Sequence, residues 1–214
     1  MKELDELLRR CAARHSRLCP RQVLGARMGG YAGDLLGLEL PQSDKRLLVI
    51  VETDGCAADG VVEATGCSVG RRTLRVQDYG KVAAVFVDTE TGRAVRIAPR
   101  HDARVMARDY APQTCDRWEA QLVGYQLMPD DLLLVYQWVE LTTSIEKIIG
   151  RAGVRVTCQQ CGEEIMNGRQ VVYHDKTLCQ SCAGSSYYHS LTAEIAQADS
   201  LNNLFPETEG RLCR

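Results

Sequence analysis

At 214 residues, 45% hydrophobic and 25% charged, the chain has the make-up of an ordinary globular protein, with room for one medium domain and a small appendage. A formal net charge of −2 offers no basic footprint for nucleic acid, and no apolar run approaches the roughly eighteen residues needed to cross a membrane. Ten cysteines in a chain of this length, opening on Met1-Lys2-Glu3-Leu4-Asp5-Glu6 with none of the character of a secretion signal, point to reduced thiols and a cytoplasmic setting.

The amino-terminal segment carries a helical period. Leu4, Leu7, Leu8, Cys11, Ala12 and His15 fall on one stripe, which ends at Leu18-Cys19-Pro20. Proline suits the first position of a helix and disfavours helix in the residue before it, so Cys19 is expected to cap a second helix running from Pro20 to about Leu36. Gly25, Gly29 and Gly30 weaken that helix unless tight packing requires them. A thiol at a helix amino terminus feels the positive end of the helix, and His15 lies four residues earlier on the buried stripe.

From Arg46 the pattern changes. The run Leu47-Leu48-Val49-Ile50-Val51 reads as a buried strand that ends in Glu52-Thr53-Asp54-Gly55-Cys56. A short helix over 57–64 leads to Thr65-Gly66-Cys67-Ser68. A strand at Leu74 and Val76, a turn at Asp78-Tyr79-Gly80, and a hairpin of 81–87 with 93–97 follow. Residues 102–128 read as helices interrupted at Pro112, and Leu133, Val135, Gln137 and Val139 alternate like a late strand. Helices, then sheet, then helices predict an α+β core of helices on a mainly antiparallel sheet over 1–145. A hinge is expected within 142–156, followed by a small second domain over 146–214.

That second domain holds two cysteine pairs, Cys158-Gln-Gln-Cys161-Gly and Cys179-Gln-Ser-Cys182, separated by seventeen residues. The spacing suits one tetrahedral zinc ion, each pair placing two thiolates at about 2.3 Å from the same cation. Val171-Val172 and Thr177-Leu178 flank His174-Asp175-Lys176 as a short hairpin, and the second pair would open a helix. Knuckle, hairpin and helix make the treble-clef arrangement. A closed four-sulfur shell leaves zinc no open position, so a structural rather than catalytic role is expected. The segment from Cys158 to Cys182 sets only Arg169 and Lys176 against Glu163, Glu164 and Asp175, which favours protein over nucleic acid as its contact.

Upstream, His15, Cys19, Cys56 and Cys67 offer one imidazole and up to three sulfurs, a soft set suited to zinc or another thiophilic metal. Three such ligands and a water would form an open site able to activate water or polarise a carbonyl. Glu52, Asp54, Asp59 and Glu63 are near in sequence and would supply a general base or support the ligands. The plainer account makes Cys56 and Cys67 packing thiols and His15 a satisfied core histidine; read alone, the residues favour it.

His15-Ser16-Arg17-Leu18-Cys19-Pro20, Glu52-Thr53-Asp54-Gly55-Cys56, Thr65-Gly66-Cys67 and Asp78-Tyr79-Gly80-Lys81 together resemble the motifs of the FmdE family, named for a component of tungsten or molybdenum formylmethanofuran dehydrogenase. The resemblance implies an α+β core whose His and Cys residues line a metal-binding cavity, a carboxy-terminal treble-clef zinc finger, and a homodimer. It turns the balance towards a metal-binding role for His15, Cys19 and Cys56, and leaves Cys67 between the two accounts. Arg17 stands where the family commonly has a second histidine, Ser68 where threonine is usual and Arg71 where lysine is usual. Three functions follow as expectations. They are an accessory or partner protein in molybdenum or tungsten enzyme systems, a stand-alone metalloenzyme acting on a small carbonyl or formyl substrate, and a zinc-finger interaction module on an inert core.

Overall fold

The computed structural model describes residues 2–14 and 17–189 and divides into two compact units, Met1–Ile149 and Gly150–Arg214. His15, Cys213 and the tail over 201–214 lie outside the described residues. Among the described residues no helix is long and apolar enough to cross a membrane.

The first unit opens with α1 (Lys2–Arg14) and α2 (Pro20–Leu36). Leu8 and Cys11 of the predicted stripe are buried, and Gly37 closes α2 in the left-handed conformation that favours glycine. Strand β1 (Leu47–Val51) leads through α3 (Cys56–Thr65) to β2 (Leu74–Val76), which pairs with β1 in parallel. Strands β3 (Ala84–Asp88) and β4 (Ala94–Pro99) form the hairpin. The single turn α4 (Ala103–Met106), helix α5 (Arg117–Leu127) and the single turn α6 (Asp130–Leu133) precede the edge strand β5 (Leu134–Val139). The sheet order is β2-β1-β3-β4-β5, antiparallel except at β1–β2, so the expected α+β class with a mainly antiparallel sheet holds.

Side chains alternate across a strand, which gives the sheet two unlike faces. Leu47, Val49, Val51, Ala84, Phe86, Val95 and Ile97 join the main core with α2 and α3. Leu48, Val87 and Ala94 point the other way, and Ile145, Ile148 and Ile149 of α7 (Ile145–Ile149) pack on them. That packing makes α7 part of the first unit, within the stretch read from sequence as hinge. The guanidinium of Arg75 donates to the Ile148 carbonyl and that of Arg72 to the Ile149 carbonyl, so cations satisfy the helix end.

Helix α2 is the centre of this unit, and its glycines explain how. A Cβ on Gly25 would lie 2.1 Å from the Ala57 carbonyl oxygen, and one on Gly60 would lie 2.2 Å from that of Gln22. Further along, a Cβ on Gly29 would meet Ala64 at 2.5 Å. The early turns of α2 therefore meet early turns of α3 and later turns meet later ones, so the two helices run side by side in the same direction with backbones nearly touching. Gly30 faces open space and has no such reason.

The second unit is built of two small hairpins, β6 (Arg155–Thr157) with β7 (Glu164–Met166) and β8 (Val171–Tyr173) with β9 (Lys176–Leu178). His174 and Asp175 both have positive φ, as a two-residue hairpin turn of the type matching strand twist requires. Among the described residues the second cysteine pair leads into a single wide π-type turn, Ser181–Ser185, which contains Cys182.

Candidate metal centres

In the second unit each cysteine pair is set by its hairpin. Cys158 follows β6 and Cys161 precedes β7, with Gly162 at φ 78° donating its N–H to the Cys158 carbonyl. Cys179 follows β9, and Thr177 N–H donates to Gln159 Oε1 at 2.6 Å, joining the two hairpins. The four Sγ atoms lie within 4.8 Å of one another, with Cys161 and Cys179 4.0 Å apart. A tetrahedral shell with bonds of about 2.3 Å has sulfur–sulfur edges of about 3.8 Å, so a small contraction around zinc fits the set. Backbone N–H groups already point at sulfur: Cys179 donates to Cys158 Sγ at 3.3 Å and Cys182 to Cys179 Sγ at 3.4 Å.

The electrostatics ask for a cation. Backbone N–H groups, first that of Cys161 and then that of Cys179, hold the Cys158 thiol down at about 6. Hydrogen bonding to Cys179 and then burial push Cys182 up to about 12. The Cys158 thiolate forms readily while Cys182 keeps its proton, unless a divalent ion balances the charge.

In the first unit the paired helices bring two of the predicted core cysteines together. Cys19 is the residue before α2 and Cys56 the first residue of α3, and the two half-buried thiols lie within hydrogen-bonding reach. Burial first, then the Cys19 sulfur, pushes the Cys56 thiol above its ordinary range. Gly55 enters α3 at φ 79° and ψ −153°, a conformation side chains rarely adopt, which turns the chain sharply from β1 into the helix. The loop after β2 closes over the same end of the sheet: Gln77 N–H donates to Val51, and the Tyr79 and Lys81 N–H groups donate to Glu52. The pair thus sits at the carboxyl ends of the parallel strands β1 and β2, the end of a sheet at which α/β units commonly bind ligands.

Other expected members are placed elsewhere. Cys67 follows the far end of α3, a helix of ten residues and hence about 15 Å long. Its thiol is buried, donates to the Leu47 carbonyl at 3.4 Å and is pushed up by burial, so it is a core packing group and does not reach Cys56. Glu52 is engaged by Arg96 at 2.6 and 2.7 Å on the sheet face opposite α2 and α3, and is therefore no free base. Glu63 faces Arg10 at 3.5 Å. Asp59, in the first turn of α3, remains beside Cys56. Arg17 stacks its guanidinium over Trp118 at 5.2 Å, a contact with no signal in the sequence. Gln22 is a residue that ligand spacing alone does not reveal; its signal is its place three residues after the Cys19 cap, the capping-box position for glutamine.

The family model described as "FmdE, Molybdenum formylmethanofuran dehydrogenase operon" matches residues 14–134, more than half of the chain. The chain belongs to the FmdE family. A second model, the prokaryotic dksA/traR C4-type zinc finger, matches residues 150–188 of this FmdE chain and contains all four clustered cysteines. A curated relative from Archaeoglobus fulgidus, described as "Probable S-adenosyl-L-methionine-binding protein", is 28% identical over 205 residues, covering 86% of this chain and 54% of the relative. The chain thus spans about half the length of that relative. A crystal structure of a tungsten formylmethanofuran dehydrogenase FmdE-like protein from Syntrophus aciditrophicus superposes with a TM-score of 0.54. It is 24% identical and covers 87% of this chain and 95% of its own, a likeness of fold.

Proposed function

We propose that this FmdE chain is a metal-binding accessory or partner protein of molybdenum or tungsten formylmethanofuran dehydrogenase-type systems. It would work in the cytoplasm as a homodimer, with a thiophilic metal held in the core by His15, Cys19 and Cys56 and structural zinc in a treble-clef finger. The observation that carries the core site is the meeting of Cys19 and Cys56 at the amino ends of two helices locked together by Gly25 and Gly60. Two sulfurs fixed side by side beside a helix start are a soft, preorganised half-shell, and an imidazole four residues before Cys19 would complete three ligands. Arg17, stacked on Trp118, takes no part as a ligand.

Metal analysis of protein purified without oxygen tests this. About two metal ions per chain are expected in the wild type and about one in Cys19→Ala or Cys56→Ala with the fold retained. A wild type that carries only the finger metal under reducing, metal-replete conditions would sink the core site. Sedimentation of the full chain tests the dimer, which a monomer at micromolar concentration would remove.

A second reading is supported by the half-exposure of the two thiols, which leaves them within reach of a small molecule. In it, the metal with a bound water acts on a small carbonyl or formyl substrate. The archaeal relative's name adds S-adenosyl-L-methionine as a ligand to try at the same place, since the carboxyl ends of parallel strands are where such cofactors seat. Calorimetric titration with formaldehyde-equivalent aldehydes and with S-adenosyl-L-methionine separates these from a purely accessory role.

A further inference from the structure

We infer that two copies of this chain join edge to edge through β5, antiparallel about a two-fold axis at Gln137, so that two five-stranded sheets become one. The inference rests on the homodimer proposed above and supplies its interface. Strand β5 is the last of the sheet, with no strand on its outer side. Natural proteins guard such edges with short strands, bulges, proline or charge, because an open row of backbone donors and acceptors is a template for another strand. The opposite edge is guarded: β2 has three residues, Arg75 among them. Strand β5 has six, with neither charge nor proline, and pairs with β4 along its whole length without a bulge. Val135 on one face is 45% exposed, and Tyr136 and Trp138 on the other are 46% and 47% exposed.

Which backbone groups are free follows from one bond. Arg100 N–H donates to the Leu133 carbonyl at 2.9 Å, in register with Pro99 opposite Leu134. Bonded and non-bonded pairs alternate along an antiparallel ladder. Val135, Gln137 and Val139 therefore turn their N–H and C=O groups to β4, while Leu134, Tyr136 and Trp138 turn theirs to the free edge. Pro99, with no N–H to give, accordingly sits at a non-bonded pair. A second β5 must set outward-turned residues opposite outward-turned residues, which puts the two-fold axis on a residue and never between two.

Side chains choose among the registers. An axis on Tyr136 sets the Gln137 amide against Val135, and one on Trp138 sets Tyr136 against Glu140. An axis on Gln137 sets Tyr136 against the partner's Trp138 at both ends and Val135 against the partner's Val139, the aromatic and β-branched cross-strand pairs that stabilise sheets. It also extends an aromatic run already present, with Tyr31 and Tyr136 centred 5.8 Å apart and Tyr136 and Trp138 6.3 Å apart. Because β5 is uncharged, a second copy brings no like charge against it. The edge is thus complementary to itself.

Full-length protein is followed by sedimentation and by oxidation with glutathione disulfide. Residues of a non-bonded antiparallel pair have Cα atoms about 4.5 Å apart, within the span of a disulfide. Gln137→Cys, at an exposed position, is expected to link to itself across the axis as a covalent dimer, with mass mapping placing the bond between the two substituted positions. Val135→Cys, set against the partner's Val139, is expected not to. Trp138→Lys puts a second cation beside Arg93 and should be monomeric at the concentration at which the wild type is a dimer. A wild-type dimer in which Gln137→Cys does not link to itself, Val135→Cys links in its place, or Trp138→Lys stays dimeric overturns this interface and leaves the homodimer. A monomeric wild type, its edge open or taken by a strand of another protein, overturns both.

Discussion

Asp88 is 2% exposed at the end of β3, and every acceptor position on it is spoken for. Arg46 donates through Nε at 2.9 Å and Nη2 at 2.8 Å, the Thr91 hydroxyl donates at 2.8 Å and the Glu90 N–H at 3.1 Å. These bonds, Arg46 foremost, hold the Asp88 carboxyl well below the usual carboxylate range. A carboxyl with a depressed folded-state value contributes stability above the unfolded value, near 3.9, and loses it as pH falls towards the folded value. Arg46→Met should therefore destabilise the protein at neutral pH, and the gap from wild type should narrow below pH ~4. Urea unfolding of both proteins at neutral and acid pH checks this; a gap that widens in acid would contradict it. The Asp88-Thr-Glu-Thr-Gly92 turn was legible in the sequence as a hairpin loop. Its tie to Arg46 was not, because the two are 42 positions apart and meet only when β1 pairs with β3.

At the scale of elements, Gly25 and Gly30 of α2 make opposite predictions although they look alike in sequence. Gly25→Ala must push α3 away from a 2.1 Å contact with backbone, which no rotamer can relieve, and should cost about 2–3 kcal/mol. It should also separate Cys19 from Cys56, so the metal proposed for the core would be lost along with stability. Gly30→Ala meets nothing within 4 Å and should stabilise the protein by about 0.5–1 kcal/mol through helix propensity alone. Thermal unfolding of the two variants side by side decides it, and equal effects would mean that the helices are not in close contact. Edge strand β5 shows how alternation can mislead. The odd positions Leu133, Val135, Gln137 and Val139 read as the patterned set, yet Leu134 is the buried strand residue and Val135 is 45% exposed. Tyr136 and Trp138 share the helix-side face, where Tyr136 meets Tyr31 edge-on and Arg93 covers Trp138. An edge strand has a neighbour on one side only, so its burial follows local cover rather than hydrophobicity.

In the whole molecule, the two units differ in what can hold them. The first has a continuous apolar core, whereas Cys158, Ile165 and Leu178 are the buried members of the second unit's cluster, with its other cysteines packed around them. So small a core cannot offset the ordering of the chain, and metal binding must supply the difference. Chelation, or Cys161→Ser, should release about one zinc per chain and open the stretch near 150–189 to protease while 1–149 stays resistant. Mass mapping of the fragments would show it, and a zinc-free protein with an intact second unit would refute it. The four finger cysteines could be read from spacing alone, because a knuckle is a local structure whose ligands lie three residues apart. The α2 boundaries were legible for the same reason, fixed by Pro20 at one end and Gly37 past the other. The pairing of core cysteines was not local. Spacing alone did not rank Cys19, Cys56 and Cys67, and only the parallel packing of α2 on α3 put two of them at one end of a helix and the third about 15 Å off at the other. Side chains three or four apart are placed by backbone geometry, which sequence encodes directly. Those 37 positions apart, as Cys19 and Cys56 are, are placed by which surfaces can close on each other, and here that was decided by two glycines and a tertiary contact.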